Sequence, residues 1–458
     1  MNIAVDEAIG DRLNRLVKLA MDTGEATSIE EAERLFAGYR LSVAVGADVA
    51  HSATLQAALL TVVNSARRSF LGGVEVSFAD DFPLLVPGSK HKKLAATVNA
   101  LGGRVVRDIG VPTPLICLGD VPETTENPFA IRATFDGWAG GVLPLLQSAM
   151  RLEEQQEFVP AGVLAGALAV TEAFQFLRRN QPLAGRREIG LSLWRPELSW
   201  LDSAARGPQI ERLPSSLWLV GLGNLGQAYL WTLGMLPYAS PSDVQLVLQD
   251  FDVLAPSNES TSLLTTADVV GIHKTRAMAQ WAQQRGFRSA IIERRFDANF
   301  RVRPDEPSLA LCGVDNALAR AALEDVGFGR IIEAGLGGGT ADFLGFRTHA
   351  FPGARKARDV WKPAAQSDER RIDLPAYEKL SAAGLDRCGL TRLAGRTVGA
   401  PFVGAIAGAV VIAEALRAAN GAHAYDLIDG HLRDLTHRTV VPAINPAPFN
   451  PGATPVEL

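Results

Sequence analysis

The sequence predicts an α/β protein with doubly wound, largely parallel, Rossmann-like sheets in two pseudo-repeated domains. In the second half, apolar strand-like runs alternate with helix-like runs, and a glycine-rich turn joins the first strand to the first helix. Two apolar helices of similar pattern also occur, one in each half. Alternating strands and helices favour a parallel sheet whose ligand site lies at the carboxyl ends of its strands.

Composition bounds the class of protein. The 458 residues suffice for two or three domains, and a net charge of −5 does not resemble a basic nucleic-acid-binding surface. The N-terminal segment lacks a secretion signal and three cysteines cannot form a disulfide framework, so we expect a reducing compartment and a cytoplasmic protein. The apolar stretches 161–173 and 401–415 are shorter than the ~20 residues that span a bilayer, so we expect buried helices and no membrane partner.

The two apolar helices suggest an internal duplication. Each runs from small residues through apolar ones to Glu-Ala, at one constant offset. The alignment pairs Gly162 with Gly404, Gly166 with Gly408 and Glu172 with Glu414. We therefore predict two related domains, residues 1–205 and 206–458, that meet near the stretch 205–214. The alternative is chance similarity between two buried helices that both use small residues for close packing.

The first half lacks the glycines of a nucleotide loop. Its segment YRLSVAVGADVAHSATLQAALLTVV has an apolar run and the single Gly46, whereas SLWLVGLGNLGQAYLWTLGML in the second half has three glycines in its turn. A backbone that approaches phosphate closely needs the absent side chains of those glycines. We therefore interpret residues 1–205 as a degenerate, inactive domain that serves as a scaffold.

The second half predicts an ordered series of elements. A strand at 217–220 is followed by a helix at 224–236, a strand at 244–250, a helix at 271–284, strands at 290–294 and 309–314, a helix at 316–325 and an extended segment at 331–334.

A glycine fingerprint opens this unit. Gly221, Gly223 and Gly226 follow a strand and begin a helix, which is the context that the motif requires. Backbone amides there can bind phosphate, and Asp250 at the end of the next strand can bind ribose hydroxyls. These features alone fit an NAD-dependent oxidoreductase equally well.

The segments that follow favour a mononucleotide with magnesium. Asp252 and Asn258 follow Asp250 in one loop, Lys274 lies near a helix start, and Asp315 follows a strand. A lysine supplies a point charge for triphosphate oxygens, and a carboxylate is a hard oxygen ligand for Mg²⁺. Singly, such residues are typical of solvated side chains and helix caps. In this order and at strand ends, they predict a phosphate-and-metal site.

From about residue 217 to about residue 416, the chain resembles the ubiquitin-activating-enzyme-like (ThiF/MoeB) adenylation superfamily. The order of GLGNLG, DFD, the loop asparagine, the lysine, VDN at 314–316 and the helix GAIAGAVVIAEAL carries the resemblance. The resemblance implies a nucleotide site in which the three glycines hold phosphates and Asp250 binds ribose. It also implies that Asn258 and Lys274 contact phosphates, with Asp252 in the same nucleotide-binding loop, and that Asp315 binds the Mg²⁺ of ATP.

The resemblance implies a function as well. Members bind ATP and adenylate the C-terminal carboxylate of a small ubiquitin-like or sulfur-carrier protein, as homodimers or internal pseudo-dimers. We therefore predict ATP-dependent activation of a ubiquitin-like protein, followed by thioester formation and transfer to a conjugating-type enzyme. The alternatives are adenylation of a short peptide, sulfur carrier or tRNA base without a thioester, an NAD-dependent oxidoreductase, and a catalytically dead binding scaffold.

The chain departs from the family pattern in two ways. The family usually has an arginine three residues after the loop asparagine, where this chain has Thr261, and that loss would weaken ATP binding or leave a pseudoenzyme. Arg12 or Arg15 could replace it, since family members often contribute an arginine from an N-terminal helix. The alternative is that these two arginines lie on an ordinary exposed helix face. The cysteines form no C-x-x-C pair, so we expect none of the structural zinc that many members hold.

The three cysteines differ in their surroundings. Cys117 and Cys312 lie in apolar strand-like runs, where cysteines are most often inert core residues. Cys388 lies in LDRCGLTRLAGR, which we interpret as an accessible loop whose arginines favour the thiolate. Cys388, Thr391 and Arg392 match the Cys-x-x-Thr-Arg segment of autophagy-type activating enzymes, which implies that Cys388 forms the thioester. An incidental loop cysteine is the alternative.

Overall fold

The computed structural model describes residues 12–87, 91–110, 113–122, 127–145, 151–361, 372–444, 446 and 449–457. Each half of the chain forms one large sheet that has a parallel part and an antiparallel part.

The first sheet has seven strands in the order β3-β2-β1-β4-β5-β6-β7. They are β1 (Leu41–Val45), β2 (Val74–Ser77), β3 (Arg104–Val106), β4 (Leu115–Leu118), β5 (Ala130–Asp136), β6 (Ala139–Pro144) and β7 (Ile189–Ser192). The strands from β3 to β5 pair in parallel, whereas β6 and β7 join antiparallel. Strands β4, β5 and β6 are buried along their whole length, although β5 also carries the polar residues Arg132, Thr134 and Asp136.

The second sheet has eight strands in the order β11-β10-β9-β12-β13-β14-β15-β16. They are β9 (Ser216–Val220), β10 (Gln245–Gln249), β11 (Arg288–Ile292), β12 (Leu309–Cys312), β13 (Arg330–Leu336), β14 (Gly345–Phe351), β15 (Tyr425–His431) and β16 (Asp434–Pro442). The short strands β8 (Arg212–Leu213) and β17 (Thr454–Pro455) pair separately.

Helices cover these sheets and connect their strands. In the first half they are α1 (Val17–Asp22), α2 (Ile29–Ala37), α3 (Ala53–Ala66), α4 (Leu94–Ala100) and α5 (Val159–Arg178). In the second half they are α6 (Asn224–Leu233), α7 (Lys274–Gln283), α8 (Ala317–Ala321), α9 (Ala357–Val360), α10 (Pro375–Ala382), α11 (Arg387–Ala394) and α12 (Pro401–Ala419).

The two sheets share their strand order and directions over seven strands. Strands β9, β10 and β11 occupy the places that β1, β2 and β3 occupy in the first sheet, and β12 to β15 correspond to β4 to β7. The change from parallel to antiparallel pairing also falls at the same place, since β13 pairs antiparallel with β14 as β5 does with β6. The second sheet carries β16 as an additional edge strand.

The glycines of α5 and α12 allow close helix packing. A Cβ on Gly162 or Gly166 would overlap the backbone carbonyl of Thr54 or Ala58 in α3. In α12, a Cβ on Gly404 would overlap the Asn224 side chain, and one on Gly408 would lie 2.8 Å from the Ala228 carbonyl oxygen of α6. Each long helix therefore packs on the helix that follows the first strand of its own half. The two long helices also contact each other, with the Phe174 and Phe402 rings 5.3 Å apart.

By length and hydropathy, α5 and α12 could each cross a membrane. In this structure they are interior helices instead, because 94% of the most apolar window of α5 and 89% of that of α12 are buried within the protein. The expectation of buried helices is confirmed for both.

The predicted elements of the second half all occur, but several bounds were wrong. The helix predicted to reach 236 ends at Leu233, and the one predicted from 271 begins at Lys274, after Gly271 with a φ of +88° and the N-cap residue His273 with a non-helical ψ of 134°. The strand predicted to 314 ends at Cys312. The helix predicted over 316–325 is broken into α8 and a 3₁₀ turn at Leu323–Val326, with Asn316 as the N-cap residue.

Candidate active site

A cavity of about 1220 Å³ opens at the carboxyl ends of β9, β10 and β12. Since these strands are parallel neighbours, the segments that follow them converge on one place. Of the predicted nucleotide-site residues, six line the cavity: Gly221, Gly223, Asp250, Asp252, Lys274 and Asp315. Gly226 and Asn258 do not line it.

Glycine is present at the three positions of the turn for different structural reasons. Gly221 has a φ of +85°, and a Cβ there would lie 2.9 Å from the Val314 backbone nitrogen. A Cβ on Gly226 would overlap the carbonyl oxygen of Gly221, so this glycine allows close packing of helix on turn. Gly223 has open space around its Cβ position and faces the cavity. It is therefore the glycine whose missing side chain leaves room for a ligand.

Lys274 lies between two carboxylates. Its Nζ is 2.8 Å from Asp252 Oδ2 and 4.0 Å from Asp250 Oδ2, and the residue is only 9% exposed. Asp250 in turn accepts hydrogen bonds from the backbone N–H groups of Leu222 and Asp252, at 2.7 and 2.8 Å. Asp250 thus ties the glycine turn to the end of β10 and holds the lysine at the cavity wall.

Asp315 is exposed on the turn between β12 and α8. The next residue, Asn316, accepts hydrogen bonds from the Leu318 and Ala319 N–H groups and caps α8. One exposed carboxylate in a large cavity matches the way Mg²⁺ binds with nucleotides, through one or two carboxylates, phosphate oxygens and waters. Across the described residues, no group of three or more His, Cys, Asp or Glu side chains could hold a metal ion alone. The donor set therefore fits Mg²⁺ bound together with phosphate.

Asn258 and Thr261 lie in the loop after β10, beside the cavity. The Asn258 side chain accepts a hydrogen bond from the Ala255 N–H at 2.8 Å, so it shapes its own loop. Thr261 is buried, and a Cβ on the cavity-lining Gly399 would lie 2.7 Å from its Cγ2. Gly399 therefore allows the backbone to pack closely on Thr261.

The N-terminal segment reaches the same loop from the first half of the chain. Arg15 donates from its backbone N–H to Ser260 Oγ at 3.1 Å and from Nη2 to Ser257 Oγ at 3.3 Å. Arg15 does not line the cavity, and Arg12 is exposed. Of the two predicted replacements, Arg15 is therefore the one that the fold brings beside the site.

The cavity extends beyond the predicted residues to segments rich in glycine. Its further lining includes Gly335, Gly337, Gly338, Gly345, Gly399 and Gly430. A Cβ on any of these glycines except Gly345 would lie less than 3.0 Å from other protein atoms, so their missing side chains allow close packing within the protein. His431 also lines the cavity; burial lowers the pKa of this imidazole, and its Nδ1 accepts a hydrogen bond from the Arg433 N–H at 3.2 Å. Sequence reasoning missed this part of the lining, although four of its six glycines fall between 335 and 345.

Sequence reasoning also missed the arginines of the cavity. Arg294, Arg295, Arg320 and Arg347 all line it. Arg320 is buried and lies one helical turn after Asn316. Its place in the helix that follows Asp315 was the sequence signal from which it could have been identified as a site residue.

Cys388 was predicted in a loop, and this is wrong. It is the second residue of α11, a helix whose N-cap residue Asp386 accepts a hydrogen bond from the Gly389 N–H at 2.7 Å. The side chain of Cys388 lies outside the described part of the structure. Helix α11 precedes the segment of Thr397, Val398 and Gly399 that lines the cavity.

The other two cysteines are core residues, as predicted. Cys117 in β4 and Cys312 in β12 are both fully buried. Burial raises the pKa of each thiol to about 12. Both are therefore neutral thiols at physiological pH.

In the first half, side chains of the protein itself fill the carboxyl end of β1. Asp48 accepts a hydrogen bond from the Asp120 N–H at 2.8 Å, and Arg151 forms ion pairs with Asp48 and Glu154. A Cβ on Gly119 would overlap the Asp48 carboxylate. These contacts close the region where the second half has its glycine turn.

The fold combines two Rossmann-like sheets, a glycine turn followed by a helix, and a cluster of a lysine with carboxylates. This combination is typical of α/β proteins that bind nucleotides. Family models described as the BilD N-terminal domain and the BilD C-terminal domain match residues 40–193 and 213–422. The bacterial E1-like protein BilD of a Collimonas species is 44% identical over 431 residues, which cover 94% of this chain and 93% of that protein. The chain therefore belongs to the BilD family of bacterial E1-like proteins.

Solved structures overlap with the chain in part. E. coli MccB has a TM-score of 0.35 and 12% sequence identity, over 69% of this chain and 94% of that one. The E. coli tRNA N6-threonylcarbamoyladenosine dehydratase TcdA has a TM-score of 0.30 and 17% identity, over 45% of this chain and 86% of that one.

Proposed function

We propose that the protein uses ATP and Mg²⁺ to adenylate the C-terminal carboxylate of a small ubiquitin-like protein, and then holds the acyl group as a thioester on Cys388. The observation that carries the proposal is the convergence of Gly223, Lys274 and Asp315 on one cavity of about 1220 Å³. A cavity of this size is large enough for a nucleotide together with the end of a polypeptide chain.

Adenylation in this site needs positioning rather than covalent help from the protein. A carboxylate oxygen of the partner attacks the α-phosphorus, the bond to the bridging oxygen breaks, and pyrophosphate leaves with that electron pair. Lys274 and the amides at the start of α6 would stabilise the charge on the phosphates. Asp315 would hold Mg²⁺, which neutralises phosphate charge when bound.

The second step concerns Cys388. Its thiolate, after loss of the proton to solvent, would attack the acyl carbonyl carbon, and the carbon–oxygen bond to AMP would break. The first turn of α11 is a favourable place for a thiolate, because helix N-termini lower thiol pKa values. A conjugating-type enzyme in the cytoplasm would then accept the acyl group.

The shared strand order of the two sheets supports a duplication, with residues 1–205 as an inactive domain and residues 206–458 as the active one. The Asp48–Arg151–Glu154 contacts support one nucleotide site per chain. The chain would thus be an internal pseudo-dimer.

The test is ATP–pyrophosphate exchange, with candidate ubiquitin-like proteins as carboxylate donors. Lys274→Ala and Asp315→Asn should each lower exchange by about two orders of magnitude, because each removes charge stabilisation from the phosphates. Lys93→Ala is the matched control, since this lysine pairs with Asp81 on the surface of the first half. Exchange by the wild-type chain that no ubiquitin-like protein stimulates would refute the proposed substrate.

Cys388→Ala separates the two steps. It should leave exchange intact and abolish a thiol-sensitive adduct with the partner, visible on non-reducing gels. An adduct that persists in this variant would refute the thioester. Exchange that a short peptide or an RNA base stimulates would establish one of the alternative substrates. Binding of a nicotinamide dinucleotide in place of ATP would establish an oxidoreductase.

A further inference from the structure

A buried ionic cluster lies behind the turn that carries Asp315. It consists of Arg320 on α8, Glu333 on β13, His349 on β14 and Trp361 after α9. We infer that Arg320, oriented by Glu333, is a positioning residue that holds the Val314–Asp315 turn so that the Asp315 carboxylate meets the magnesium of the nucleotide. This inference rests on the proposed use of ATP and Mg²⁺.

Arg320 joins two strands at the wall of the cavity. Its Nε donates to the carbonyl oxygen of Val314 at 2.6 Å, and its Nη2 donates to that of Ala334 at 2.9 Å. Val314 directly precedes Asp315, so the guanidinium fixes the turn on the side of β12. Asn316 fixes the other side through its cap on α8. The turn is thus held at both ends.

Glu333 orients the guanidinium from the opposite side. It is fully buried, and its Oε2 lies 3.3 Å from Arg320 Nη1. Its Oε1 accepts a hydrogen bond from Trp361 Nε1 at 2.9 Å and lies 2.7 Å from His349 Nδ1. Within the described residues Oε2 accepts no hydrogen bond, so the ion pair with Arg320 is what balances the charge at that oxygen.

Only an arginine satisfies this geometry. Its planar fork donates to two carbonyls at once while Nη1 forms an ion pair with the Glu333 carboxylate, whereas a lysine would reach one of these groups. The guanidinium also lies 4.3 Å from the centre of the Trp361 ring. Gly335 leaves the space, because a Cβ there would be 2.8 Å from Arg320 Nη1. The cluster is therefore built around the arginine.

The position of a carboxylate matters most to a bound metal. Groups that orient a metal ligand typically contribute 10–100-fold to metal affinity. Loss of the Val314 contact should therefore weaken the Mg²⁺-dependent part of ATP binding and leave the Mg²⁺-independent part unchanged. A role in folding alone would change both parts or neither.

The experiment measures ATP affinity by calorimetry, with Mg²⁺ and with EDTA, for Arg320→Lys, Glu333→Gln and the wild type. The quantity of interest is the ratio of the ATP affinity with Mg²⁺ to the ATP affinity with EDTA. We expect Arg320→Lys to reduce this ratio about tenfold, and Glu333→Gln to change it in the same direction. Arg330→Lys is the matched control, because Arg330 on β13 is buried as Arg320 is. Arg330 instead donates to the Pro352 carbonyl and pairs with Glu414, away from the cavity. Arg330→Lys should lower the melting temperature and leave the ratio unchanged.

The outcomes separate this inference from the proposed function. An unchanged ratio in both Arg320→Lys and Glu333→Gln would overturn the positioning role, even if the wild type adenylates its partner. If the wild type binds Mg²⁺-ATP but shows no pyrophosphate exchange, the proposed adenylation activity is overturned. The ratio of ATP affinities with and without Mg²⁺ then remains a valid test of the role of Arg320. If the wild type binds no ATP, both are overturned.

Discussion

At the scale of single residues, the charges that line the cavity nearly balance. The carboxylates are Asp250, Asp252, Asp297, Asp315, Asp342 and Asp429, and the basic side chains are Lys274, Arg294, Arg295, Arg320 and Arg347. Asp250 and Asp252 lie 4.0 and 2.8 Å from the ammonium group of Lys274, so both carboxylates stand where phosphates would approach the lysine. In the proposed site, Mg²⁺ bound with the nucleotide would reduce the repulsion between these carboxylates and the phosphates. We therefore expect nucleotide affinity at this site to depend on the metal.

The buried cysteines give a prediction at the same scale. Because the pKa values of Cys117 and Cys312 are raised to about 12, roughly one thiol in ten thousand is a thiolate at pH 8. We expect iodoacetamide to leave both unmodified in the folded protein at pH 8, as read by mass spectrometry of tryptic peptides. In urea both should react. Equal modification in the folded and unfolded states would contradict the burial.

At the scale of elements, the turn between β9 and α6 separates ligand space from packing space. Gly223 is the N-cap residue of α6, with a φ of −80° and open space at its Cβ position. Gly226, three residues later, packs on the carbonyl of Gly221. The glycines of one motif therefore serve two purposes, as the fingerprint implies.

We predict opposite effects for alanine at these two positions. Gly223→Ala should change the free energy of unfolding by less than about 0.5 kcal/mol but weaken ATP binding, because its methyl group enters the cavity. Gly226→Ala should destabilise the fold by about 1–3 kcal/mol, because its methyl group meets backbone. Urea denaturation and calorimetry measure the two effects. Similar unfolding midpoints for the two variants would show that the glycine roles are misassigned.

At the scale of the whole molecule, buried side chains of each half bond to the backbone of the other. Arg68 on the first half donates to the carbonyls of Glu259, Leu263 and Thr265 at 2.6, 2.8 and 3.2 Å. Arg417 on α12 donates to the Leu193 carbonyl in the first half. Since the Arg68 contacts lie in the loop that borders the cavity, the first half braces the site that it does not itself contain.

Arg68→Lys tests this bracing. A lysine reaches one of the three carbonyls, so buried acceptors lose their donors and the protein should lose about 2–4 kcal/mol of stability. Arg104→Lys is the control, because Arg104 is largely exposed and pairs with Glu75 on the surface. Its effect should stay within about 0.5 kcal/mol. Urea midpoints at constant m-value measure the difference, and equal midpoints would argue against a brace between the halves.

Local pattern was enough to predict the strands and helices from β9 to β13 and the place of the glycine turn, whereas β14, β15 and β16 were not predicted. Strands such as β9 and β10 have continuous apolar runs with turn residues at their ends, and these signals lie within a few neighbouring positions. The lysine and carboxylates at the strand ends could be predicted for the same reason, because parallel strands bring their carboxyl ends to one edge. The helix at Cys388 was missed because glycine and arginine neighbours obscured an eight-residue helix.

The sequence by itself determined the α/β class, the glycine turn and the residues at the ends of β10 and β12. Only the tertiary structure decided that Arg15 meets Ser257 and Ser260, that Arg320 holds the turn before Asp315, and that Arg151 closes the end of β1. Each of the latter joins residues whose partners are chosen by packing rather than by periodicity. Secondary structure follows from short-range patterns, whereas these contacts depend on which surfaces meet after the chain has folded.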